Sequence, residues 1–221
     1  MPSDHPIFAL SERMVDDAAQ AFPTLATYLG IGGHDHRWDD FSPAGHDAAR
    51  RLLERYRDEV AELPEADDEW DRLAVLVASS FVDEEIERYA NDDHLRDLDS
   101  LASTAQDIRQ VFDHMDTKSA EGWEAIATRL NDLPEAMAGY RASLEAGRLK
   151  GLAVAKRQVE KVIEQSRTHA GDESAFVALG TAARDADLPA ELISSIDTGI
   201  TASQAAYGEF ADYLEAVYLP H

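Results

Sequence analysis

Residues 23–43 read PTLATYLGIGGHDHRWDDFSP. Gly30, Gly32 and Gly33 stand close together, and His34, Asp35, His36, Arg37, Trp38, Asp39 and Asp40 follow before Phe41-Ser42-Pro43. Glycine relaxes the backbone where other residues would clash. Ser42 before Pro43 is a helix-start signal, a capping hydroxyl followed by a ring that fits the first helical position. The stretch therefore predicts a long ordered loop over 23–43 between two helices, and long ordered loops are commonly functional.

On both sides of this loop the apolar residues recur at helical spacing. Ile7, Leu10, Met14 and Ala18 predict a helix over 7–22, and Leu52, Leu53, Tyr56 and Val60 predict one over 43–63. Trp70, Leu73, Val77 and Phe81 lie in a third, over 67–89. Its middle, 73–82, is uncharged, which predicts a place near the centre of the core. After a polar break at 91–99, further helices are expected over 100–115, from a Ser119 cap through 130, and over 134–147, 153–169 and 173–184. A long helical pattern over 189–219 has breaks expected near Gly199 or Gly208. Nothing alternates like a strand. The fold class is all-α, an antiparallel helical array of about eight to nine helices in a single domain over 1–221. The last helix carries Tyr207, Phe210, Tyr213 and Tyr218 close to the chain end. That much aromatic surface has three explanations: a missing continuation of the chain, a homodimer, or packing into the chain's own core.

The net charge of −24 repels phosphate backbones and anionic lipid, so neither nucleic acid nor membrane is an expected partner. With no cysteine there is no disulfide, thiolate nucleophile or cysteine metal site. The beginning, MPSDHPIFAL, lacks the basic and apolar segments of a secretory signal, and no apolar run approaches a membrane span. A cytoplasmic location follows as the expectation.

Three arrangements could carry chemistry. His34 and His36 form the one close histidine pair, and Asp35, Asp39 or Asp40 could complete a mixed metal shell. The same residues equally serve to brace a glycine-flanked loop by capping its backbone, with Arg37 and Trp38 anchoring it to the core. No two histidines lie four apart and no Glu lies three before a His, so neither a helix-borne zinc pair nor a di-iron signature can be assembled. His94 and His114 read as surface residues. Arg141, Arg148, Lys150, Lys156, Arg157 and Lys161 make 141–161 the least acidic part of the chain, and acidic helices are their ordinary partners. The acidic runs lack the alternating ligands and central glycine of a calcium loop. No nucleophile elbow or phosphate-binding loop is present.

Pro23, Ala26, Thr27 and Gly30, the run from Gly32 to His36, and Asp40 with Ser42-Pro43 resemble the opening of the bacterial family known as domain of unknown function 885. Arg129-Leu130, Leu133-Pro134, Gly147, Gly151, Val159 and the run from Val162 to Gln165 are similar to its middle helices, and Tyr207, Phe210 and Tyr218-Leu219-Pro220 to a further segment. The resemblance implies a mostly helical, zinc carboxypeptidase-like hydrolase, usually much longer than this chain, with an H-E-x-x-H variant in its second half. That motif is absent here, so the resemblance implies an N-terminal portion that supplies scaffold and one wall of a cleft. It would hold no catalytic or metal residue of its own and would be inactive alone. Zinc, a peptide-like substrate and the missing C-terminal catalytic portion would belong to the full-length protein. His34, Asp35, His36 and Asp39 would then shape the substrate cleft, and Arg148 and Lys150, at a glycine-bounded turn, would reach a substrate carboxylate. The alternative is a stand-alone acidic interaction module that homodimerises through its last helix.

Overall fold

The computed structural model describes residues 4–152 and 154–220. Its α-helices are α1 Pro6–Ala21, α2 Pro23–Leu29, α3 Pro43–Ala61, α4 Glu69–Ala90, α5 Thr104–Gln110, α6 Ala120–Leu149, α7 Lys156–Ala170, α8 Ala175–Asp185 and α9 Ala190–Tyr213. Short 3-10 turns at Asp93–Leu95 and Val111–His114 and a π turn at Leu214–Tyr218 complete the chain. No strand occurs among the described residues, so the fold is all-α. None of its helices is long and apolar enough to cross a membrane. Ala153, where one helix was expected to begin, lies outside the described residues.

Two hydrophobic clusters hold the helices. The larger gathers α5 to α9 around Leu130, Leu133, Tyr140 and Leu144 of α6 and Ile196, Tyr207, Phe210 and Leu214 of the last helical stretch. The smaller joins Ile7 and Leu10 of α1 to Leu53, Tyr56 and Val60 of α3 and Ala78 and Val82 of α4. The Tyr56 hydroxyl donates to Asp17 Oδ2 at 2.5 Å and ties α3 to α1.

The expected loop over 23–43 is shorter than its glycines imply, because its first seven residues are α2. Pro23 takes the first helical position, where a missing N–H costs nothing. Phe22 offers no capping side chain, and Asp39 reaches back instead, accepting from Thr24 N–H at 2.7 Å. Gly30 closes the helix at φ +71°, a left-handed conformation that favours glycine, while Ile31 N–H donates to Ala26 O at 2.9 Å.

The two helices expected over 119–130 and 134–147 are one continuous helix, α6, with Pro134 inside it. A proline in a helix interior deprives the carbonyl four residues earlier of its donor. Here that carbonyl belongs to Leu130, and the fully buried Ser203 hydroxyl of α9 donates to it at 3.1 Å. The neighbouring Arg129 carbonyl accepts from Trp38 Nε1 at 2.8 Å. The break is thus satisfied from outside the helix and need not end it. Gly147, read as a stop signal, is also helical. A Cβ there would stand 2.1 Å from the Leu95 carbonyl oxygen, so glycine lets the 93–95 turn lie against α6. The helix stops at Leu149, with Leu152 N–H bonded to Gly147 O across Gly151.

The α9 helix runs unbroken through Gly199 and Gly208. Gly199 packs on α6, where a Cβ would come within 2.6 Å of Leu130 Cβ. The aromatic residues of this last stretch lie inside the chain's own core: Tyr207, Phe210, Tyr213 and Tyr218 are all buried. The exposed apolar surface is instead on α4. Ala78 and Val82, with Val75, Ile86 and Tyr89, face the small core, but Trp70, Leu73, Leu76, Val77 and Phe81 face outward. The uncharged run over 73–82 therefore marks two apolar stripes, of which this chain covers one. It does not mark a central helix.

Ser203→Ala should lower stability to urea by about 1–2 kcal/mol, the cost of orphaning a buried carbonyl. In a Pro134→Ala background, where residue 134 regains an N–H for Leu130, the same change should cost clearly less. Equal penalties in both backgrounds would show that the hydroxyl does not serve the proline break.

Candidate functional site

The loop after α2 is fixed by one buried cation. Arg129 of α6 is 0% exposed, and its guanidinium donates to Arg37 O from Nε at 3.0 Å and from Nη2 at 2.6 Å. Its Nη1 donates to Thr27 Oγ1 at 3.0 Å, and that hydroxyl donates to Asp35 Oδ1 at 2.6 Å. The Trp38 ring lies 5.1 Å from the guanidinium carbon and packs edge-on against Phe112. Burial pulls the Arg129 pKa down to about 10, opposed by the charges of Asp35 and Asp39, and the group stays protonated at neutral pH.

Beside this loop, α3, α4, the 93–95 turn and α5 enclose two adjoining cavities of about 320 and 580 Å³. His46, Tyr89 and Asp107 line both, so they form one cleft. The ring centroids of His46 and His94 are 4.8 Å apart, and Tyr89 stands 4.9 Å from His94. Loss of water, with the facing His94 next in effect, lowers the His46 pKa to about 4 against the opposing charges of Asp40 and Asp47. Desolvation also lowers His94, whose Nδ1 is buried without a hydrogen-bond partner. At neutral pH the cleft therefore holds two uncharged imidazoles. Burial raises the Asp107 carboxyl from 3.8 to about 6, helped by the charges of Asp97, Asp39 and Asp99. The same desolvation raises Asp39 despite the N–H bond it accepts from Thr24. A carboxyl poised near neutrality beside neutral imidazoles is equipped to give and take protons.

The residues singled out in the sequence are distributed unevenly about this cleft. Asp39 lines it. Lys150 does not line it: its Nζ lies 2.7 Å from Asp92 Oδ1, and its charge is felt by His94 from outside the cavity. His34 Nδ1 is 2.9 Å from Arg37 Nη2, and Asp35 takes the Thr27 hydroxyl, so both brace the loop. His36 is exposed and lines an adjoining groove with Thr128 and Glu135 of α6, which meets the cleft at Asp39, Asp40 and Phe41. Arg148 is engaged by Glu145 through two bonds of 2.7 and 2.8 Å. His94 is half-buried and not a surface residue, whereas His114 is exposed. His46, Tyr89 and Asp107 escape sequence reasoning because they sit singly on three helices. The one local clue is His46 in the first turn after the Ser42 cap. Among the described residues no group of three or more His, Cys, Asp or Glu side chains could hold a metal ion.

Residues 23–221 match the family described as "Bacterial protein of unknown function (DUF885)". The chain belongs to that family. No curated protein matches this DUF885 chain. Its fold is similar to a solved structure described as "a putative lipoprotein of unknown function from Shewanella oneidensis", with a TM-score of 0.74 and 14% sequence identity. The likeness covers 95% of this chain and 37% of that one, so the DUF885 chain spans well under half the length of the protein it resembles.

The cleft should leave a signature in the pH dependence of stability. His46 titrates near 4 in the folded chain against an ordinary 6.5. The unfolded chain therefore binds more protons between those values, and stability is lost as the pH falls through that window. Asp107 runs the other way: its folded pKa is raised from 3.8 to about 6, so it penalises folding above that range and the penalty fades on acidification. Urea titrations across this window should show a shallower acid loss for His46→Asn and a steeper one for Asp107→Asn. Identical slopes in all three proteins would refute the desolvated cleft.

Proposed function

We propose that this chain is the N-terminal scaffold and one cleft wall of a longer, zinc carboxypeptidase-like protein that acts on peptides. Family resemblance supplies the reaction class, and the shared fold over 37% of a longer chain agrees with a part working within a larger whole. The observation that carries the assignment of a wall is the cleft itself, where His46, Tyr89, His94 and Asp107 from separate helices converge on one solvent-open space.

In this reading the chain binds and orients, and the bond-breaking machinery lies elsewhere. A zinc ion held by a C-terminal portion would activate water and polarise the scissile carbonyl. Here the neutral imidazoles of His46 and His94 offer hydrogen bonds to a peptide backbone. Lys150 is the better placed of the two basic candidates for a terminal carboxylate. Its partner Asp92 is half-exposed and can be displaced, whereas Arg148 is held on Glu145, which also accepts from the Tyr213 hydroxyl at 2.9 Å. His34, Asp35 and His36 contribute through the loop that keeps Asp39 at the cleft.

Nuclear magnetic resonance titration of the chain with short peptides tests this. Free-carboxylate peptides should shift the resonances of His46, Tyr89 and His94, and Lys150→Ala should weaken them several-fold relative to amidated peptides. Hydrolysis by the chain alone, or the absence of shifts at millimolar peptide, would overturn the reading.

A further inference from the structure

The outward stripe of α4 and the adjoining face of α1 form the largest uncovered apolar surface described above. Trp70 is 73% exposed, Leu76 62%, Val77 60% and Phe81 54%, and Phe8 and Val15 of α1 stand beside them. Between the two helices runs a groove of about 640 Å³, floored by Ala74 and Ala78 and flanked by Met14, Val15, Leu73 and Phe81. From ordinary side-chain areas, these exposed residues present about 700 Å² of mainly apolar surface. That exceeds the roughly 300–600 Å² of the largest patch on a typical monomer and approaches the 800 Å² or so that each partner buries in a stable interface.

We propose that this face pairs with the same face of a second copy of the chain, forming a two-fold dimer in which α1 and α4 of both copies make a four-helix bundle. Area is the first reason. Shape is the second, because a two-fold interface needs a surface complementary to itself. This face has both parts: a projecting indole at Trp70 and an open groove beside it with small residues on its floor. Packing paired helices against their symmetry mates is also the ordinary way to bury two apolar stripes. Charge is the third. The exposed neighbours include five acids, Glu12, Asp16, Glu69, Asp83 and Glu84, against two cations, Arg13, paired to Glu59, and Arg72, held on the Ala66 and Asp67 carbonyls. An acidic rim on a chain of net charge −24 opposes an anionic lipid surface. Between two copies the same rim produces a repulsion that salt screens, while the apolar contact remains. The proposal does not depend on the peptidase reading, since no residue lining this groove lines the α3–α4–α5 cleft.

Sedimentation equilibrium of the 221-residue chain over a dilution series decides it. The expected result is a reversible species of twice 24.3 kDa. Raising the salt from about 0.05 to about 0.5 M should tighten it several-fold. Trp70→Glu with Val77→Glu should weaken it at least a hundredfold, and Leu76→Glu alone at least tenfold. All three positions are exposed in the monomer, so circular dichroism should show the helices and the melting temperature retained. A monomer at every soluble concentration would overturn the proposal, as would a longer form of the protein that stays monomeric while this chain alone dimerises, since the rest of the protein would then cover the face. So would a dimer that survives these substitutions, a dimer that salt weakens, or open-ended association.

Discussion

The guanidinium of Arg129 holds together parts of the chain about a hundred residues apart in sequence. Its donors reach the Arg37 carbonyl and the Thr27 hydroxyl, and Trp38 covers its face. An arginine without solvent exposure is tolerable only when its donors are met, and here backbone oxygens meet most of them. The consequence is structural order in a segment that has little regular structure. The loop after α2 becomes a fixed wall, and Asp39 can stand at the cleft while capping α2.

The same stretch of α6 shows how one irregularity is made harmless by its surroundings. Pro134 frees the Leu130 carbonyl, and Ser203 occupies it from α9. Trp38 occupies the Arg129 carbonyl next to it. The loop, the longest helix and the last helix thus meet around two backbone oxygens. Reading a proline as a helix boundary is sound when its orphaned carbonyl has only water to turn to. It misleads when a buried hydroxyl is waiting in another helix.

Different parts of the candidate site were legible to different degrees. The 23–43 stretch was recognisable as ordered and polar because glycines, a capping serine and a proline are local signals, and its family likeness lies there too. Asp39 was singled out in that stretch, and its side chain lines the cavity beside α3. His46, Tyr89, His94 and Asp107 carry no mutual spacing, since they come from α3, α4, a 3-10 turn and α5. Their depressed or raised pKa values arise from shared burial, a property of the packed assembly. Conversely, the HDH run looks like a ligand set in one dimension, yet His34 and Asp35 are drawn to Arg37 and Thr27 while His36 lines the groove next to the cleft.

The sequence by itself determined the helical class, most helix positions and the acidic surface, because periodicity, caps and net charge are local or summed quantities. Tertiary structure alone decided which apolar stripes are covered. The aromatic residues of the last helix and those of α4 look alike as patterns. The first set finds α6 and α7 across a shared core, whereas among the described residues the outer stripe of α4 meets no helix beyond α1 at its edge. Periodicity tells which face of a helix is apolar, and only the arrangement of its neighbours tells whether that face is buried.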